Sequence, residues 1–205
     1  MSQFITFEGG EGSGKSTQAR KLYEYLSSNG IKSYLTREPG GTELAEKLRN
    51  EILLKDEGVD DPLTEFMIIS AARRDHVEKI IKPKLKEGII VICDRFYDSS
   101  LAYQSYYKGL SAKIMDKVYK ISLGDFQPDL TFFLDIDIQS ANNRVDIRGK
   151  QNHYDDKGQE FNKVVLKAFR DIAAKNSPRI IKINADQEIE KVFVDILKKA
   201  PKYIK

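Results

Sequence analysis

Eight consecutive residues, Gly9-Gly10-Glu11-Gly12-Ser13-Gly14-Lys15-Ser16, hold four glycines, a lysine and two hydroxyls in the order G-x-x-x-x-G-K-[ST]. Glycine lacks the Cβ that would keep successive backbone N–H groups from turning inward around phosphate oxygens. In that arrangement Lys15 reaches the β- and γ-phosphates of a nucleoside triphosphate, and Ser16 holds Mg²⁺ where the next helix starts. A flexible glycine-rich turn is the bland alternative. An apolar run before the motif and a helical pattern after it argue against that alternative. Two arginines stand at comparable places further on: Arg37 closes one β-like run and Arg95 closes another. In a parallel sheet the carboxyl ends of all strands share one edge, so Arg37, Arg95 and Lys15 are expected to converge. Three cations at one edge suit a second anionic group beside the triphosphate.

Other chemistries lack their residues. The one Asn-Lys pair, Asn162-Lys163, lies in a helical pattern and does not form a guanine-reading N-K-x-D. The third apolar run ends in Asp94-Arg95, without the Asp-Glu that orients water in a motor ATPase. Two histidines and one cysteine offer no nucleophile–base pair. Cys93 ends an apolar run and reads as packing. His76, beside Asp75, reads as solvated on a charged helix face. A phosphate monoester acceptor fits this poverty, because it is already an anion at pH 7 and needs no strong base. It needs charge neutralisation and exclusion of water.

The elements that must position these groups alternate along the chain. Strand-like runs fall at Phe4–Phe7, Ser33–Thr36, Ile89–Cys93, Leu130–Leu134 and Arg179–Ile183. Helical spacing falls between them, at Ala19–Leu26, Leu44–Ile52, Asp61 to about Lys86, Ser111–Gly124, Phe161–Ile172 and Ile189–Leu197. Asp61-Pro62 is a helix start, with Asp as N-cap and Pro at the first position. Five strands interleaved with helices predict an α/β fold, a five-stranded parallel sheet flanked by helices on both faces. The polar stretch from Arg148 to Gln159 has no apolar period and reads as a mobile surface loop between helices.

The chain has 205 residues, 40% hydrophobic, which suits one domain with its own core. No apolar run spans a membrane and no export signal is visible, and a single cysteine suits a reducing cytoplasm. The 34 Lys and Arg against 31 Asp and Glu give a net charge of +3, too little to argue for nucleic acid.

The motifs together resemble the thymidylate kinase family over nearly the whole chain. The resemblance rests on Phe7 through Thr17, on Thr36-Arg37-Glu38-Pro39-Gly40-Gly41-Thr42, and on Ala71-Ala72-Arg73-Arg74. It rests also on Asp94-Arg95 with Asp98-Ser99-Ser100-Leu101-Ala102-Tyr103-Gln104, and on Gly124-Asp125-Phe126 with Pro128-Asp129-Leu130-Thr131. It implies a P-loop nucleoside monophosphate kinase fold, with ATP on Gly9–Thr17 and Mg²⁺ held by Ser16 and Asp94. It implies dTMP on Glu11, Arg37, Glu38, Pro39, Arg49, Ile69, Arg73, Arg95, Ser99, Ser100, Tyr103 and Gln104. Within that set Glu11 matches the acidic residue at the sugar 3′-OH. Arg37, Arg49 and Arg95 match the phosphate side, and Arg73 and Gln104 the base readers. Tyr103 matches the aromatic that favours deoxyribose, although it serves equally as core. Ser99 and Ser100 serve equally as a plain helix cap. Asn184-Ala185-Asp186 resembles the loop beside adenine. A homodimer is implied, with the apolar Leu63–Ile81 helix as both core and interface.

Relatives place the key arginine either in the phosphate loop or in a lid that closes over ATP. Position 12 is Gly, so the resemblance implies the type that carries it in the lid, residues 144–159, which offers Arg144, Arg148 and Lys150; Arg148 is the expected catalytic arginine, with Arg144 near ATP. With Lys15 and Arg95 these form the expected catalytic set. The chain departs from the family pattern at Ile69, usually an aromatic that stacks on thymine, with Phe66 one turn earlier as a substitute. It departs also at Asn152-His153, usually Asp-Arg. Ile69 leaves open a broader pyrimidine monophosphate kinase. A nucleotide-dependent switch without an acceptor site is the reading from another class. Of the ten arginines, Arg37, Arg49, Arg73, Arg74, Arg95, Arg144 and Arg148 lie on motif segments or the lid.

Overall fold

The computed structural model describes residues 3–53, 59–148, 154 and 157–200, with the backbone alone at 148. Five strands form one parallel sheet in the order β2-β3-β1-β4-β5. They are β1 (Phe4–Glu8), β2 (Ser33–Arg37), β3 (Ile90–Asp94), β4 (Leu130–Asp135) and β5 (Ile180–Asn184), each within a residue or two of its predicted run. β1 is buried along its whole length because both neighbours are strands, with Thr6 opposite Cys93 on one side and Thr131 on the other. β2 lies at the edge and is only partly buried. Its register sets Arg37 beside Asp94 at the carboxyl end.

Helices cover both faces. α1 (Lys15–Ser28) and α9 (Ile189–Lys199) bury Ala19, Leu22, Leu26, Val192 and Ile196 against Phe7, Phe132 and Ile183. α8 (Gly158–Lys175) packs Phe161, Val165 and Phe169 with Tyr103 and Phe133. α2 (Glu43–Leu53) and α3 (Pro62–His76) follow β2. Asp61 caps α3 as expected, accepting from the Thr64 N–H at 2.7 Å. α3 does not run straight to Lys86. It passes through a π-helical stretch, Val77–Ile81, into α4 (Lys82–Lys86), where Pro83 has no N–H to donate. α5 (Tyr97–Ser100) continues into a second π-helical stretch, Leu101–Tyr107, and α6 (Ala112–Leu123) leads to β4.

α7 (Ile138–Arg148) ends where the polar stretch begins, so the first residues of the expected 144–159 lid lie on a helix. Arg144–Arg148 are helical, and Gly158 and Gln159 already belong to α8. Asp137 starts α7, its carboxylate accepting from the Gln139 N–H at 2.8 Å. Among the described residues no helix is long and apolar enough to cross a membrane.

Candidate active site

A cleft of about 1140 Å³ runs along the carboxyl edge of the sheet, lined from Glu11 to Gln18 and by residues following β2, β3 and β5. The phosphate loop forms its floor. Gly9, Gly12 and Gly14 have φ of 149°, 72° and 88°, where side chains are disfavoured. A Cβ on Gly9 would lie 2.8 Å from the Leu134 carbonyl, and one on Gly12 would strike the Ala141 carbonyl of α7. Lys15 is buried, its Nζ donating to the Gly10 carbonyl at 2.7 Å and to Ser13 Oγ at 3.3 Å. Burial first, then the Arg95 charge, lowers its ammonium from 10.5 to about 8. The Ser16 hydroxyl donates to Asp94 Oδ2, and Asp94 Oδ1 is buried without a partner. Among the described residues no group of three or more His, Cys, Asp or Glu could hold a metal alone. A hydroxyl and one carboxylate with a spare oxygen fit Mg²⁺, which takes few protein ligands and completes its shell with water and substrate phosphates.

Arg95 is the one non-glycine residue among those described with positive φ, at 72°. Such a conformation costs about 1–3 kcal/mol and persists only where surroundings impose it. Its N–H donates to the Phe7 carbonyl at 3.0 Å. Its guanidinium donates to the Gly9 carbonyl at 3.2 Å, Ser99 Oγ at 3.1 Å and Glu11 Oε1 at 2.6 Å. Burial opposes its charge, but Glu11, Tyr103 and Asp94 outweigh burial and raise its pKa. Tyr103 donates to the same Glu11 oxygen at 3.1 Å, while its ring packs with Tyr154 and Phe161. It is both core and cleft lining.

Ser99 and Ser100 are not caps. Ser99 donates to Glu8 Oε2 at 2.6 Å, and Ser100 Oγ accepts from Arg73 Nη2 at 3.0 Å. Glu8 also accepts from the Phe96 N–H at 2.7 Å. Burial and the nearby Asp98 raise the Glu8 carboxyl to about 8. Arg73 Nε donates to Glu38 Oε2 at 2.6 Å, leaving Nη1 buried without a partner. Phe96 lines the cleft, and the Arg73 guanidinium sits 5.0 Å from its ring centroid.

On the β2 side, Arg37 is half exposed and paired with Glu46, and Arg49 donates to the cis-Pro39 carbonyl at 2.8 Å. Ile69 lines the cleft; Phe66 does not, because it is buried against Tyr97. Arg74 leaves the site, donating outward to the Ser122 carbonyl. On the β5 side, Arg144 donates to the carbonyls of Ala185 at 3.1 Å and Gln187 at 3.4 Å. The Arg148 side chain, Lys150, Asn152 and His153 lie outside the described residues.

Cys93 is buried packing, as read, and burial pushes its thiol up. His76 is not solvated. It has no exposed surface, with Nε2 2.8 Å from Thr36 Oγ1 and Nδ1 3.1 Å from Glu38 Oε1. Four further groups escaped the sequence reading. Gln18 donates to the Ile189 carbonyl at 2.9 Å beside the cleft. Arg179 forms a bidentate pair with Asp98, at 2.9 and 2.8 Å, beneath the helix carrying Ser99. Glu65 and Tyr154 meet Gln104. For Glu65 a signal existed, since 65, 69 and 73 fall on one helix face.

The strand order and the phosphate loop after β1, together with cations from four other elements facing one cleft, define a P-loop nucleotide kinase. The family model for thymidylate kinase matches residues 7–196. The chain is 41% identical over 196 residues to the thymidylate kinase of Mesoplasma florum, covering 95% of this chain and 93% of that one. It is 41% identical over 203 residues to the thymidylate kinase of Orientia tsutsugamushi, covering 96% and 92%. The crystal structure of thymidylate kinase from Ehrlichia chaffeensis superposes with a TM-score of 0.76 at 41% identity, covering 96% and 97%. The chain belongs to the thymidylate kinase family.

Proposed function

We propose that this chain transfers the γ-phosphoryl group of Mg-ATP to dTMP, giving dTDP and ADP for dTTP synthesis. The carrying observation is that the triphosphate loop and the Arg37, Arg49, Arg73 and Arg95 side chains line one cleft. The reaction joins two polyanions, so its barrier is mainly charge, and preorganised cations lower it. Lys15 holds the transferring phosphoryl group from the loop. Arg95, kept charged by Glu11 and fixed by three hydrogen bonds, stands beside it for the acceptor phosphate. Ser16 and Asp94 would hold Mg²⁺, which when bound neutralises β/γ-phosphate charge. Glu11 and Tyr103 take the sugar, and Ile69, Arg73 and Gln104 the base. Arg144 and the stretch Asn184-Ala185-Asp186 take the adenine side.

Arg148 supplies the transition-state cation from the lid at 144–159, and the 205 residues work as one domain in the cytoplasm, without nucleic acid or membrane as partner. Two copies form the working homodimer. Exposed Met67 on α3 and Ile114 and Ile121 on α6, two helices that pack together, support that assembly. An ADP-release assay with Mg-ATP and a panel of dTMP, dUMP, UMP and dCMP tests the function. The highest kcat/KM is expected for dTMP. Equal rates across the panel would make it a broad pyrimidine kinase, and ATP hydrolysis indifferent to every acceptor would make it a switch.

A further inference from the structure

We propose that Glu65 selects the acceptor base by fixing which way the Gln104 side-chain amide points. The inference rests on the acceptor reading above and adds the residue that sets its base specificity. Glu65 lies in the first turn of α3 with no exposed surface. Burying a carboxylate costs several kcal/mol unless partners repay it, and an apolar residue there would avoid that cost. Three partners surround it: Gln104 Nε2 at 3.0 Å, the Tyr154 hydroxyl at 2.5 Å and Lys108 Nζ at 3.1 Å. Lys108 is itself held by the Val59 carbonyl at 2.9 Å.

An ionised carboxylate only accepts hydrogen bonds. The end of Gln104 that faces Glu65 must therefore be the NH₂ group, since the carbonyl end would set oxygen against oxygen. Gln104 Oε1 is left as an acceptor without a partner, on a buried side chain that lines the cleft. Arg73 Nη1 is a buried donor without a partner on the same lining. An acceptor and a donor together match a pyrimidine edge with a ring N–H beside a carbonyl, as in thymine and uracil. Cytosine offers an unprotonated ring nitrogen beside an amino group, the reverse pattern. A free amide could flip and accept either base; an amide pinned by Glu65 cannot.

Glu65→Gln keeps size and shape but can donate as well as accept, so both amide orientations become supported. The ratio of kcat/KM for dTMP over dCMP is expected to fall about 10- to 100-fold, mainly through the KM values. The kcat for dTMP is expected to change by less than about 3-fold. A role in folding alone would depress both substrates together, so an unchanged ratio overturns the proposal. If the wild-type protein does not itself prefer dTMP to dCMP, the acceptor reading fails instead. Should the variant not fold, NMR of the wild-type Gln104 side-chain amide decides the matter. One proton protected from exchange and shifted downfield is expected, and two freely exchanging protons overturn the assignment.

Discussion

Lys15 owes its lowered pKa first to burial behind the phosphate loop and second to Arg95. In the free protein its charge is lost as pH rises through about 8. Bound phosphate, being anionic, restores the proton. The kcat/KM for ATP, which reports the free protein, is therefore expected to fall about tenfold per pH unit above that value. The kcat at saturating ATP should stay level to higher pH. A kcat/KM flat to pH 9.5 would mean that burial does not control Lys15. The lid cations separate at the same scale. Arg144 is already engaged by the Ala185 and Gln187 carbonyls, so its guanidinium is committed to the loop after β5. Removing Arg144 should raise the KM for ATP. Arg148→Ala should lower kcat about 10³-fold at near-constant KM, and single-turnover kinetics would reveal retention of full kcat.

At the scale of elements, His76 ties α3 to the end of β2 through Thr36 and Glu38. His76→Ala would leave a cavity, a hydroxyl and one carboxylate oxygen without that partner. A loss of about 2–4 kcal/mol in urea unfolding is expected. Because Glu38 also holds Arg73, the KM for the acceptor should rise more than that for ATP. His76→Gln, which can bridge the same two oxygens, should recover part of both. The strands were legible in sequence because continuous apolar runs have few other uses. α7 is implied before the polar loop but given no bounds, because polar residues surround the helical spacing of Ile138, Ala141 and Val145 and the start at Asp137. The phosphate loop was legible because its chemistry is local. His76 and Arg179 were not, since each takes its meaning from a partner 38 or more positions away. Spacing along one segment carries no record of such pairs. Phe66 shows the converse: its one-turn offset from Ile69 predicted a place in the cleft, but packing against Tyr97 took it.

At the scale of the molecule, the cleft joins groups that follow β1, β2, β3 and β5, so its geometry depends on strands across the whole sheet. The outer faces of α3 and α6 leave Met67, Ile114 and Ile121 exposed, Ile121 by 84%. Burying a side chain of that size contributes roughly 1.5–3 kcal/mol. Ile121→Glu is expected to shift the protein from dimer to monomer in sedimentation velocity at micromolar concentration, with little change in the unfolding of the monomer. A wild-type chain sedimenting as a monomer would exclude the homodimer.

The Ala141 carbonyl fills the space that a side chain at position 12 would need. An arginine cannot enter the phosphate loop here by one substitution, because α7 would first have to retreat and Gly12 leave its left-handed backbone. A cation at position 12 is thus no simple exchange for one on the far side of the cleft: it requires rebuilding the Ala141 contact and the Gly12 backbone together.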